Sequence, residues 1–143
     1  MTAKEYLRQY EWAVKRVRRY EEEYQNESIL IDAVRSLSDN DGMPHGSGIS
    51  KPTEDKAVRL ADKRLRLIQA RLDAIEIRQE IFDLIDGIDG IEGDVLYERY
   101  IKLHKWEDIC VLLNYSWYGI HNAHRRALMI VDEMRTLKNT HKV

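Results

Sequence analysis

The chain of 143 residues holds only two prolines, Pro44 and Pro52, and both lie in one short stretch. A proline removes a backbone donor and clashes with the preceding turn, so its absence elsewhere leaves long segments free to be helical. Glycine is sparse as well: of 7 residues, three share the proline stretch and three more cluster at Gly87, Gly90 and Gly93. An all-α chain with two interruptions is the expected outcome.

Apolar spacing locates the helices. Residues 2–37 carry Leu7, Tyr10, Val14, Val17 and Tyr24, then Leu30, Val34 and Leu37, at steps of mostly three and four. The polar run Q-N-E-S at 25–28 is expected to kink or divide this helix. Residues 38–52, S-D-N-D-G-M-P-H-G-S-G-I-S-K-P, read as a loop. Thr53 then reads as an N-cap, with Glu54 and Asp55 at the positive helix end. From 53 to 88 the stripe is Val58, Ala61, Leu65, Ile68, Leu72 and Ile75, then Phe82 and Ile85. A 3.5-residue spacing kept this long asks for a long partner helix. Both segments hold 36 residues, roughly 54 Å each at the helical rise. Residues 1–88 are therefore expected to form a long antiparallel helical hairpin. Two helices alone bury little surface, so the hairpin is expected to form a homodimer or to pack against the C-terminal part.

The run D-L-I-D-G-I-D-G-I-E-G-D at 83–94 breaks the second helix. Its clustered acids invite a calcium reading, but the glycines and ligands do not follow the EF-hand order. A solvated, jointed connector is the simpler reading. Three short helices follow, at about 94–104, 106–113 and 117–136. The middle one, W-E-D-I-C-V-L-L, ends at Asn114, a residue type that tolerates the left-handed conformation. Ser116 is positioned to cap the last. Two helices joined by Asn114-Tyr115-Ser116 make a helix-turn-helix, so residues 89–143 are expected to be a small three-helix domain of that kind.

Composition narrows the functional classes. Charged residues make up 34% of the chain and the mean hydropathy is −0.57. The longest apolar runs, 109–113 and 127–131, fall far short of the ~18–20 residues of a membrane span. The first ten residues contain no apolar signal core, and a lone Cys110 fits a reducing compartment, so a cytoplasmic protein is expected. No glycine-rich phosphate loop or convincing acid pair occurs, and Cys110 falls at an inward helical position. Neither enzyme chemistry nor a cofactor is expected. The net charge is −2, unevenly spread. Residues 1–93 hold 15 Lys/Arg against 19 Asp/Glu, whereas residues 94–143 hold 8 against 6 and four of the five histidines. A polyanion would be met by the C-terminal third.

The stretch V-L-Y-E-R-Y-I-K-L-H-K-W-E-D-I-C-V-L-L-N-Y-S-W-Y-G-I-H-N-A-H-R-R-A-L resembles region 4 of sigma-70-type factors. The residues carrying the resemblance are Leu96, Arg99, Tyr100, Glu107, Asp108, Ile109, Cys110, Asn114, Tyr115, Ser116, Ile120, Arg126 and Ala127. They span about 94–135, a third of the chain. Together with the preceding helical segment and jointed linker, the whole is similar to phage-encoded late-gene transcriptional regulators of the RinA and ArpU type. Lys105 stands where a capping Ser or Thr is usual, Gly119 where Thr is common, and Cys110 where Ala is common. The resemblance implies a sequence-specific regulator binding double-stranded DNA in a bacterial host and acting with its RNA polymerase. The N-terminal 93 residues read as a hairpin and not as a promoter-melting domain, which separates the chain from a stand-alone sigma factor.

On the last helix the inward stripe is expected to be Ile120, Ala123, His124, Ala127, Val131 and Met134. That leaves Trp117, Tyr118, His121, Asn122 and Arg125 on the other side, near the end that a recognition helix presents to the major groove. Asn and Arg pair bidentately with adenine and guanine edges. Ser116 and the helix N-terminus suit a phosphate, and Arg99, Lys102 and Lys105 are candidates for flanking backbone contacts. Duller roles compete. Trp117 and Tyr118 also suit a core or an interface, Trp106 suits the core between the motif helices, and His124 a half-buried hydrogen bond. Arg126 suits an internal ion pair with Glu98, Glu107 or Asp108. His121 and His124 lack further ligands for zinc, so no metal is expected. Two rival functions share these features: a DNA-packaging protein of the phage small terminase kind, and a protein-interaction module that never meets DNA.

Overall fold

The structure is a computed structural model that describes residues 1–39 and 51–142. The described chain is all-α: α1 (Ala3–Leu7), α2 (Gln9–Asp39), α3 (Lys51–Asp86), α4 (Gly90–Leu96) running on into a π-helical turn (Tyr97–Ile101), α5 (Trp106–Leu113) and α6 (Trp117–His141). No described helix is long and apolar enough to cross a membrane. Pro44 and the glycines of the expected loop lie outside the described residues. The edges of that loop, at 38–39 and 51–52, are helical, and Thr53, the expected cap, lies inside α3.

The chain divides into two compact units, Val14–Asp73 and Met1–Ala13 with Ala74–Val143. This division differs from the expected 1–88 and 89–143. The first turn of the chain and the end of α3 belong with the C-terminal helices, because their apolar residues share one core. Ala3 and Leu7 from α1 and Ile81, Leu84, Ile85 and Ile88 from the end of α3 are buried with Leu96, Tyr100, Ile101, Ala127 and Val131. Thr2 and Glu5 form a reciprocal capping box at the start of α1. Arg135 of α6 donates to the Met1 carbonyl at 3.2 Å and lies 4.7 Å above the Tyr6 ring. The break between α1 and α2 falls at Arg8, and α2 runs unbroken through 25–28, so the polar run there does not divide the helix.

The unit Val14–Asp73 pairs α2 with α3 in antiparallel sense. Lys63 meets Glu23 and Glu27 at 3.3 and 3.2 Å, Arg59 meets Glu27 at 3.8 Å, and Arg71 meets Glu21 at 3.3 Å. These hydrogen-bonded carboxylates hold the Lys63 ammonium above its usual range. The seam differs from the expected one. On α3 it runs through Leu60, Lys63, Leu67 and Ala70, with Leu67 and Ala70 buried. Val58, Leu65, Ile68 and Leu72, the expected stripe, are exposed. On α2 the half-buried positions of this unit are Val14, Val17, Tyr20, Glu21, Tyr24, Glu27, Ser28 and Ile31, so Val14, Val17 and Tyr24 fall where expected, while Leu30, Val34 and Leu37 are exposed. The reason is chemical. The real seam interleaves its leucines, valines and isoleucine with alanine, tyrosine and the Lys63–Glu27 pair, so its apolar signal is weaker than that of the faces it leaves open.

The expected connector at 83–94 shrinks to Gly87–Asp89. Gly90 has φ +81 and already opens α4. Gly93 supplies no turn. It is buried within α4, where a Cβ would lie 2.0 Å from the Ile88 carbonyl oxygen, so only glycine permits this approach of the two backbones.

Candidate nucleic-acid interface

The segment from α4 to α6 is organised around a second small core of Val95, Ile109, Ile120 and Ala123, with Trp106, Cys110 and Leu113 packed against it. Asn114 closes α5 in the left-handed conformation (φ 56, ψ 48), and Ser116 opens α6, its hydroxyl accepting from the Gly119 amide at 3.0 Å. Both ends match the expected caps, and α5 keeps its expected bounds. α6 reaches five residues beyond its expected end, to His141. Lys105 precedes α5 with no side-chain cap, as its chemistry dictates.

Before α5 the chain makes a tight bend. The π turn places the Lys102 amide on the Tyr97 carbonyl at 3.0 Å, and Leu103 takes a left-handed conformation (φ 59). Two side chains hold the bend: Arg99 Nη1 donates to the His104 carbonyl at 2.9 Å, and His104 Nδ1 donates to Glu98 at 2.8 Å. The Arg99 guanidinium also lies 4.7 Å above the Trp106 ring. Its placement is that of a brace inside the fold. Lys102, named with it as a backbone-flanking residue, is exposed and sits 5.7 Å from the Tyr97 ring.

The expected outward set on α6 splits in two. His121 packs between Trp106 and Trp117, with ring centroids at 4.7 and 4.4 Å, and its Nε2 is buried without a hydrogen-bond partner. Its neighbour His124 is buried, shares a 2.7 Å hydrogen bond through Nε2 with the Tyr100 hydroxyl, and lies edge-on to Trp106. Burial pushes the His124 imidazole down to about 4, aided by the neighbouring Lys4 and Arg99 charges. Burial likewise pushes the Tyr100 phenol up to about 12. Both groups are neutral near pH 7. Arg99, His121 and His124 thus gather around the Trp106 ring, a cluster that the spacing of single residues does not reveal.

Tyr118, Asn122 and Arg125 make up the other part. They lie at steps of four and three on one face, Tyr118 and Arg125 exposed and Asn122 half-buried. Trp117 is 53% exposed at the edge of this face and supports His121 from outside. Arg126 is fixed as an internal partner, but to a different acid from those expected: its Nε donates to Glu92 at 2.9 Å, which holds the Glu92 carboxyl below its usual range. Among the described residues no three His, Cys, Asp or Glu side chains gather to hold an ion. Comparison with family models, curated proteins and solved structures finds no match to this chain.

Proposed function

We propose that the chain is a sequence-specific DNA-binding transcription regulator of phage or prophage origin, with the first turns of α6 as its reading element. The observation that supports this most is the face formed by Tyr118, Asn122 and Arg125 beside a capped helix N-terminus. Asn122 supplies the donor and acceptor pair that fits an adenine edge, and Arg125 the fork that fits guanine. Tyr118 suits a phosphate or a thymine methyl. With Ser116 engaged by the Gly119 amide, phosphate binding at this end falls to the outward first-turn amides. Lys102 and Lys105 set register on the backbone without reading sequence. The resemblance to sigma region 4 supports action at a promoter together with bacterial RNA polymerase. The small positive excess of residues 94–143, 8 against 6, makes a single copy a modest binder, so self-association or the polymerase strengthens it.

A duplex selected from a random pool tests the reading. Arg125→Ala or Asn122→Ala is expected to weaken binding at that site by about 1–3 kcal/mol, while Lys102→Ala weakens all duplexes alike.

A second reading, a protein-docking surface, draws on one observation. Val111, Leu112, Tyr115 and Tyr118 are all exposed around the α5–α6 turn. A low-salt titration in which no duplex binds would favour it.

A further inference from the structure

Helix α3 carries two apolar stripes on opposite faces, and only one of them meets α2. The seam on α2 uses Leu60, Lys63, Leu67 and Ala70. The second stripe is Val58, Ala61, Leu65, Ile68 and Leu72, and Ile75 continues the same spacing. Val58, Ala61, Leu65 and Ile68 each lie two residues before a member of the first, about 200° around the helix. Helix α2 of the same chain therefore cannot cover it. All five side chains are exposed, Leu65 at 64% and Val58 at 61%. The steps are three, four, three and four, the a and d positions of a heptad repeat, with Val58, Leu65 and Leu72 at a and Ala61 and Ile68 at d.

The flanks identify the occupant. The g positions beside this stripe are Arg64, Arg71 and Arg78, and the e positions are Asp62, Gln69 and Glu76. In a parallel pair each g position faces the e position five residues on in the other copy. Arg71 then faces Glu76 of the second copy, and Arg64 faces Gln69. An antiparallel pair would set the arginines against one another. Arg71 also reaches Glu21 of its own chain at 3.3 Å in an exposed pair, and a guanidinium has five N–H groups with which to serve both. We propose that this outer stripe of α3 is a self-association surface, closed by the same stripe of a second copy in parallel register. The α2 helices lie outside the joint seam, and the C-terminal ends of the α3 helices emerge at the same end. Leu at a with Ile at d admits more than two strands, and the measured mass gives the number of copies. The inference stands apart from the DNA-binding reading, because it uses none of the residues of α6.

Sedimentation equilibrium of the full chain is expected to give a multiple of 16.9 kDa. Leu65→Lys with Leu72→Lys is expected to return it to the single-chain mass with an unchanged helical spectrum, since both residues are exposed in the single chain. In a Cys110→Ala background, Val58→Cys is expected to cross-link to itself on oxidation. A single-chain mass at every concentration would overturn the proposal. So would an oligomer indifferent to the two lysines, or cross-linking only between Val58→Cys and Leu72→Cys chains when mixed.

Discussion

His124 shows how one buried residue ties packing to solution behaviour. In the unfolded chain its imidazole titrates near ~6.5, whereas in the fold burial keeps it neutral down to about 4. Between those values the unfolded chain takes up a proton that the folded chain refuses. Its contribution is therefore complete above pH ~6.5, falls as the pH drops towards 4, and is level below. Urea titrations across this window are expected to show a loss on the order of 2–3 kcal/mol, much reduced in His124→Asn. Gly93 is the steric counterpart. Gly93→Ala places a methyl 2.0 Å from the Ile88 carbonyl oxygen, a backbone atom that cannot step aside. The expected loss, read by thermal unfolding, is about 2–3 kcal/mol or more. The sequence marks Gly93 only as one of three clustered glycines. Its real reason, a backbone-to-backbone approach, depends on two segments meeting in space. His121 escaped for a related cause: at helical spacing it belongs with Tyr118 and Asn122, and only the positions of Trp106 and Trp117 show that it is packed.

Among the elements, local chemistry decided how much was legible in advance. The α5–α6 turn was readable because Asn114 and Ser116 act on their own neighbours. Asn114→Ala is expected to cost about 1 kcal/mol through the left-handed backbone it must hold, whereas Asn114→Gly is expected to be neutral or better in the same denaturation assay. Ser116→Ala is expected to cost about 1 kcal/mol by leaving the Gly119 amide uncapped. The long helices were readable as helices but not in rotation. On α3 the strongest apolar stripe, from Val58 to Leu72, faces away from α2, and the true seam hides behind Lys63 and Ala70. Hydrophobic spacing finds a face that wants a partner and does not say which partner. On α2 the same effect drew the reading to Leu30, Val34 and Leu37 and away from Glu27, whose pairing with Lys63 is a long-range fact.

For the molecule as a whole, the compact units do not follow the order of the chain. Residues 1–13 complete a core whose other members come from the end of α3, the α4 segment and α6. Removing the first eight residues is therefore expected to destabilise the C-terminal helices, because Ala3 and Leu7 are buried there. An α-helical chain reveals this poorly, since each short helix looks alike in sequence whichever core it joins. The charge balance also belongs to this scale. On the proposed DNA-binding reading, about three or four phosphate contacts per copy would make the logarithm of DNA affinity fall against the logarithm of salt with a slope near −3.

The Tyr118, Asn122 and Arg125 face of α6 is proposed to read base edges. This reading is tested most directly by binding of the full chain, Asn122→Ala and Arg125→Ala to a duplex selected by the protein from a random pool, beside a scrambled duplex. The expected result is a loss of about 1–3 kcal/mol for each variant on the selected duplex, with little change on the scrambled one. Equal binding by all three proteins, or no preference of the full chain for the selected duplex, would contradict it.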